Sequence, residues 1–174
     1  PVEELLPGDQ VETRDGGAQP VCWTGGRSVV AEGDFAPIRI AADTFGLHGE
    51  LMVSPQHRVL VRGAAAELLF GEPEVLVAAR DLINDRTVRP SPCREVEYVH
   101  LMFDRHQVIY SEDLPSESFL PGPETPNLFE RRVLDEICAL FPELDPETGT
   151  GYGPAARRAL SGAEGRLLSA MQIG

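Results

Sequence analysis

Short β-branched segments, cut off by Gly, Pro and Asp, fill this chain as far as Leu120, and no other feature restricts its fold as much. Val11-Glu12-Thr13-Arg14 runs into Asp15-Gly16-Gly17, a hairpin-type turn signal. Pro20-Val21-Cys22-Trp23-Thr24 predicts the next strand, stopped by Gly25-Gly26. Ile38-Arg39-Ile40, Leu51-Met52-Val53, Arg58 to Val61, Val75-Leu76-Val77, Thr87-Val88, Glu95 to Phe103 and Gln107 to Tyr110 continue the series. Eight or more short strands with Gly, Pro and Asp between them predict an all-β domain and not βαβ units. One short helix fits Ala78-Ala79-Arg80-Asp81-Leu82, where no β-branched residue interferes.

The texture changes at Leu120-Pro121-Gly122-Pro123-Glu124-Thr125-Pro126. This boundary divides a β domain, residues 1–122, from a C-terminal helical extension, residues 123–174. Leu128, Val133, Leu134, Ile137, Cys138 and Phe141 recur at helical spacing until Pro142 ends the run. A second helix is expected from Pro154, with Ala155, Ala159, Leu160, Leu167, Leu168 and Met171 apolar and Gly162 and Gly165 weakening it. Such a pair would pack on the β domain or on a partner, which makes it the candidate surface for self-association.

Charge excludes several functions. The chain has 174 residues and a net charge of −13, and all 15 basic residues are Arg. Without Lys there is no Schiff-base chemistry and no phosphate-loop lysine. The acidic balance argues against nucleic acid or an anionic membrane as partner, because both need a positive footprint. Cys22, Cys93 and Cys138 are odd in number and widely spaced, which fits neither a disulfide framework nor a CxxC zinc pattern. No apolar run approaches bilayer length. The opening Pro1-Val2-Glu3-Glu4 is too polar for a signal peptide and reads as the interior of something longer.

Two short segments could carry chemistry. In Ser54-Pro55-Gln56-His57 a turn between two apolar segments could aim a hydroxyl and an imidazole at one point, and His is the side chain best suited to proton transfer near neutral pH. The bland alternative is an ordinary turn with an exposed His. The second segment is Val99 to His106. As one unbroken strand it would put His100, Asp104 and His106 on a single face, a set suited to a divalent metal. With a turn at Asp104-Arg105 it becomes a hairpin, with Asp104 a turn residue and His106 at the surface. Apolar stretches on both sides favour the hairpin. Trp23 reads as core, and each cysteine as a buried thiol with no adjacent base.

In order along the chain, Pro1 to Asp15, Val21 to Gly25, Ser54 to Val61, Tyr98 to His106 and Glu117 to Gly122 together resemble the bacterial hedgehog/intein (Hint) module. Ser54-Pro55-Gln56-His57 resembles its Thr/Ser-x-x-His motif. The resemblance implies an all-β, horseshoe-like module with pseudo-twofold halves, followed here by the short helical extension. It implies self-processing of a peptide bond: a Cys or Ser at the module's first position attacks the preceding carbonyl, and the amide becomes a thioester or ester. Amides are poor acyl donors, so the nucleophile must be activated, the oxyanion stabilised and the leaving amine protonated. Carried across by motif, His57 would hydrogen-bond or protonate the scissile nitrogen. Ser54 would orient the scissile peptide or support the oxyanion. Asp104 or His106 would assist proton movement around the nucleophile, with His100 a weaker candidate.

The family's first strand and nucleophile precede the Val2-Glu3-Glu4-Leu5 segment, and no residue here takes that position, Cys22 included. As given, the chain is expected to be incompetent for the first acyl shift. No terminal His-Asn followed by a nucleophile closes the module, which favours cleavage or transfer at the N-terminal side over splicing. The partner implied is the chain's own upstream polypeptide in cis, with no cofactor and no metal. The resemblance also implies a larger, exported bacterial protein. Two alternatives stand beside this reading: a degenerate Hint scaffold serving as an interaction domain, and a metal site of His100, Asp104, His106 and His57.

Overall fold

The hairpin expected at Asp15-Gly16-Gly17 forms: β1 (Gln10–Thr13) pairs antiparallel with β2 (Gly17–Pro20), with Thr13 opposite Gly17. The Thr13 hydroxyl donates to the Gly17 carbonyl and accepts the Gly16 N–H, so one side chain closes the turn. This computed structural model describes residues 1–172. Throughout, the protein consists mostly of strands in antiparallel sheets, with a few helices. Among the described residues no helix is long and apolar enough to cross a membrane.

The chain divides into two units. The first takes Pro1–Arg27, Val99–Gln107 and Ser118–Ala156. Its core gathers Trp23, Met102, Ile137, Leu144 and Tyr152, with Phe119, Leu120, Phe129, Val133 and Phe141 packed against them. The expected stop at Gly25-Gly26 is not there. β3 (Trp23–Val29) runs straight through both glycines. The cause is packing: the indole of Trp23 lies where a Cβ on Gly25 would stand. Glycine here admits a close approach and does not break the strand. Helix α2 (Thr125–Leu128) and helix α3 (Arg131–Leu140) follow the Pro-rich stretch. α3 buries Leu134 and Ile137 as the periodicity predicts, and the helix stops at Phe141, before Pro142.

The second unit takes Ser28–Tyr98, Val108–Glu117 and Arg157–Gly174. One sheet has β4 (Ile38–Ile40) at its centre, flanked by β5 (Leu51–Val53) and β8 (Val88–Pro90). In another, β6 (Arg58–Arg62) pairs antiparallel with β7 (Glu74–Ala78), with Arg58 opposite Ala78 and Arg62 opposite Glu74. Val59, Leu60 and Val61, and Val75, Leu76 and Val77, are all buried, so this pair is covered on both faces and reads as continuous apolar runs. Helix α1 (Ala64–Phe70) joins β6 to β7 and ends on Gly71, whose left-handed φ of 72° suits glycine.

The helix expected over Ala78 to Leu82 is a 3-10 turn, Ala79–Leu82. The second tail helix starts later than expected: Pro154 to Leu160 is not helical, and Leu76 and Ala159 form a parallel bridge. The helix labelled α4 covers Gly162–Gln172. A Cβ on Gly165 would press on Val77 and Asp81, so this glycine lets α4 lie close against β7 and the 3-10 turn.

The long Glu95-to-Phe103 segment appears as β9 (Val96–Met102), which pairs with β3. After a bend, β10 (Val108–Ser111) pairs with β11 (Leu114–Glu117), and β11 pairs with β6 through Ser116 and Val59. The expected hairpin of β9 with β10 therefore does not form. The bend is present, but each strand finds its partner elsewhere.

Candidate functional site

Ser54 to His57 joins β5 to β6 in the second unit, and both strand ends are held: Val53 pairs with Ile38, and Arg58 with Ala78. Pro55 restricts the backbone at the corner. The His57 N–H donates to the Ser54 carbonyl at 3.1 Å and to the Ser54 hydroxyl at 3.2 Å. Outside the turn, the Ala79 N–H donates to the His57 carbonyl at 2.9 Å, and the Arg80 N–H to the Pro55 carbonyl at 3.0 Å. Ala79 and Arg80 open the 3-10 turn, which is itself anchored: buried Asp81 accepts the Arg166 guanidinium of α4 at 2.8 Å. On the other side the Arg58 N–H donates to Glu117 Oε1 at 2.9 Å, and Arg58 Nη1 to Glu117 Oε2 at 3.0 Å. The result is a half-buried Ser54 and a half-buried His57 on one backbone turn, with the Ser54 and Pro55 carbonyls and both backbone groups of His57 hydrogen-bonded. Such a turn can present both groups with little reorganisation.

Asp104 and His106 lie in the β9–β10 bend of the first unit. Asp104 is exposed. His106, expected at the surface, is only 4% exposed. The Ala156 N–H donates to His106 Nδ1 at 2.9 Å, so the ring proton in this neutral tautomer sits on Nε2, which donates to the Ser118 carbonyl at 3.1 Å. Ser118 also holds the next residue: its hydroxyl accepts the Gln107 N–H at 2.9 Å, and its own N–H donates to the Gln107 carbonyl at 2.9 Å. His106 thus ties the bend to two distant segments, a contact that no local sequence pattern reveals. Gln107 is buried as well, and its Nε2 has no acceptor among the described residues.

Two groups near this bend resist ionisation. Burial, and then the Asp104 carboxylate, push the Cys22 thiol up from its ordinary value. A raised thiol pKa means less thiolate at neutral pH, so Cys22 is a poor nucleophile. Burial also pushes the Tyr152 hydroxyl well above its usual range; that hydroxyl donates to the Phe103 carbonyl at 2.8 Å.

His100 is packed edge-on against Phe119 and Phe129, with ring centroids 4.9 and 5.3 Å away, as part of an aromatic cluster. Among the described residues no three His, Cys, Asp or Glu side chains converge as metal ligands, so the metal-site alternative has no ligand set. Glu117 lies in a closing segment of the resemblance, which gives it no role. Its contact with Arg58 spans 59 positions, and nothing in the local pattern announces it.

A family model described as "Hint domain" matches residues 1–123. Comparison with curated proteins and with solved structures finds no match.

Proposed function

The chain belongs to the Hint-domain family, and on that premise we propose that it is a self-processing module acting on the peptide bond at its N-terminal side. An upstream Cys or Ser attacks the carbonyl before it. The new C–S or C–O bond forms as the C–N bond breaks, and the leaving amine takes a proton. Water or another acceptor then takes the acyl group from the thioester or ester. In this reading the partner is the upstream polypeptide in cis, and the C-terminal helices are a surface for self-association.

The residue roles are part of the proposal. His57 hydrogen-bonds the scissile nitrogen and supplies its proton. Ser54 orients the scissile peptide or supports the oxyanion. Asp104 assists proton movement around the nucleophile. His106 supports that role by fixing the bend that carries Asp104, since both of its ring nitrogens are already engaged. Cys22 takes no part, which agrees with its raised thiol pKa. The observation that carries the reading is the Ser54–His57 turn, braced at His57 and Pro55 by the Ala79 and Arg80 N–H groups and at Arg58 by Glu117. Preorganised groups of this kind are what acyl transfer from an amide requires.

The test is an intact-mass time course on the protein carrying its natural upstream residues, with and without dithiothreitol. The reading predicts fragmentation beside an upstream Cys or Ser, abolished by His57→Ala; for a Cys nucleophile the thiol accelerates it. A single stable mass from a folded sample under every condition would refute it and favour the interaction scaffold.

A further inference from the structure

We propose that Glu117 is a positioning residue for His57, acting through the backbone of Arg58. The inference rests on the reading of His57 as the group that meets the scissile nitrogen.

The peptide unit joining His57 to Arg58 has two polar atoms. The His57 carbonyl accepts the Ala79 N–H, and the Arg58 N–H donates to Glu117 Oε1. Both ends of this unit are therefore held, one by the chain that follows β7 and the other by the end of β11. The His57 N–H is itself held by Ser54, so fixing that plane sets ψ of His57, and with it the direction in which the His57 side chain leaves the backbone.

In an ordinary ladder the second partner would be a backbone carbonyl. Here β6 and β11 pair through Ser116 and Val59, and at the adjoining position the Glu117 side chain does the accepting. A carboxylate that is only 8% exposed is costly to keep there unless it is paired. Arg58 meets both carboxylate oxygens, its N–H donating to one and its guanidinium to the other. One residue thus neutralises the charge and receives the constraint. The two bonds have separable roles: the Oε1 bond sets the backbone after His57, and the Oε2 pair compensates the buried charge.

The separation gives the test. Glu117→Met removes both bonds at similar volume. Glu117→Gln keeps a carbonyl oxygen for the Arg58 N–H and loses the charge. Two readouts are taken. The first, on the 174-residue chain, is NMR hydrogen exchange at the Arg58 amide together with the His57 ring signals. The second is the processing rate of the protein with its upstream residues, beside its melting temperature.

For Glu117→Met we expect selective loss of Arg58 amide protection, with Leu60 and Val61 unchanged, shifted His57 ring signals, and processing slowed about tenfold or more. For Glu117→Gln we expect a lower melting temperature, with Arg58 protection, His57 ring signals and processing rate close to wild type. Rescue of rate without rescue of stability separates positioning from a structural role. Wild-type Arg58 protection and His57 ring signals in Glu117→Met would overturn the proposal. If Glu117→Met does not fold, a folded Glu117→Gln that loses Arg58 protection, or moves the His57 ring, overturns it equally. The NMR readout needs no activity, so a wild-type protein that never processes refutes the functional reading while the Glu117 question is still answered.

Discussion

Ser54→Ala separates the chemistry of the Ser54–His57 turn from its stability. The His57 N–H is shared between the Ser54 carbonyl at 3.1 Å and the Ser54 hydroxyl at 3.2 Å. Removing the hydroxyl therefore strands no donor, because the carbonyl still accepts. A shared bond lost without an unsatisfied group costs about 0.5 kcal/mol. For a chain of this size that lowers the melting temperature by about 1–2 °C. The processing rate behaves differently. If the hydroxyl supports the oxyanion, its loss costs about a hundredfold in rate. The assay is a thermal melt of the 174-residue chain, paired with the intact-mass time course of the protein carrying its upstream residues. Ser54→Thr, which keeps the hydroxyl, should recover most of the rate. A Ser54→Ala protein that processes at the wild-type rate would refute the role of the hydroxyl. One that loses more than about 2 kcal/mol of stability would refute the hydrogen-bond account.

Three further outcomes are expected. Gly25→Ala sets a methyl group against the Trp23 indole, and Trp23 is only 2% exposed. Overpacking of this kind costs about 1–3 kcal/mol; the melt should drop and the emission of the single Trp should shift, and an unchanged melt and spectrum would contradict the packing. Burial first, and then Cys93, raise the Tyr98 hydroxyl to about 12. The stability this group contributes is complete below the ordinary tyrosine value of about 10 and is lost as pH rises toward about 12, because there the unfolded chain gives up its proton first; tyrosinate absorbance should therefore lose a late-titrating component in Tyr98→Phe, and an unchanged titration would refute the shift. Finally, iodoacetamide should label exposed Cys93 before Cys22, whose thiol is raised by burial and by Asp104; peptide mapping after partial labelling decides, and Cys22 reacting first would contradict that environment.

The strands were legible wherever β-branched residues clustered, as at Val59-Leu60-Val61 and Val75-Leu76-Val77, because burial on both faces demands such runs. β11 escaped notice. Leu114-Pro115-Ser116-Glu117 has a Pro and two polar residues, and it becomes a strand because β10 and β6 lie on either side of it. α1, framed by Gly63 and Gly71, is short and Ala-rich and too brief to show an apolar period. The onset of α4 is not legible, because Pro154 to Leu160 includes a bridge to β7 that no helical pattern encodes. At the candidate site, the proximity of Ser54 and His57 follows from their spacing in a turn. The burial of His106 does not follow from spacing, since its partners are the Ser118 carbonyl and the Ala156 N–H, far along the chain. Nor does the Glu117 contact with Arg58, which depends on how β11 meets β6.

Hydroxylamine trapping tests the central claim most directly. The protein carrying its upstream residues is incubated with hydroxylamine, and the released N-terminal fragment is weighed. A thioester or ester intermediate gives a fragment ending in a hydroxamate, formed in the wild type and absent in His57→Ala. A fragment that ends only in a carboxylate, or release that His57→Ala leaves unchanged, would contradict the acyl shift.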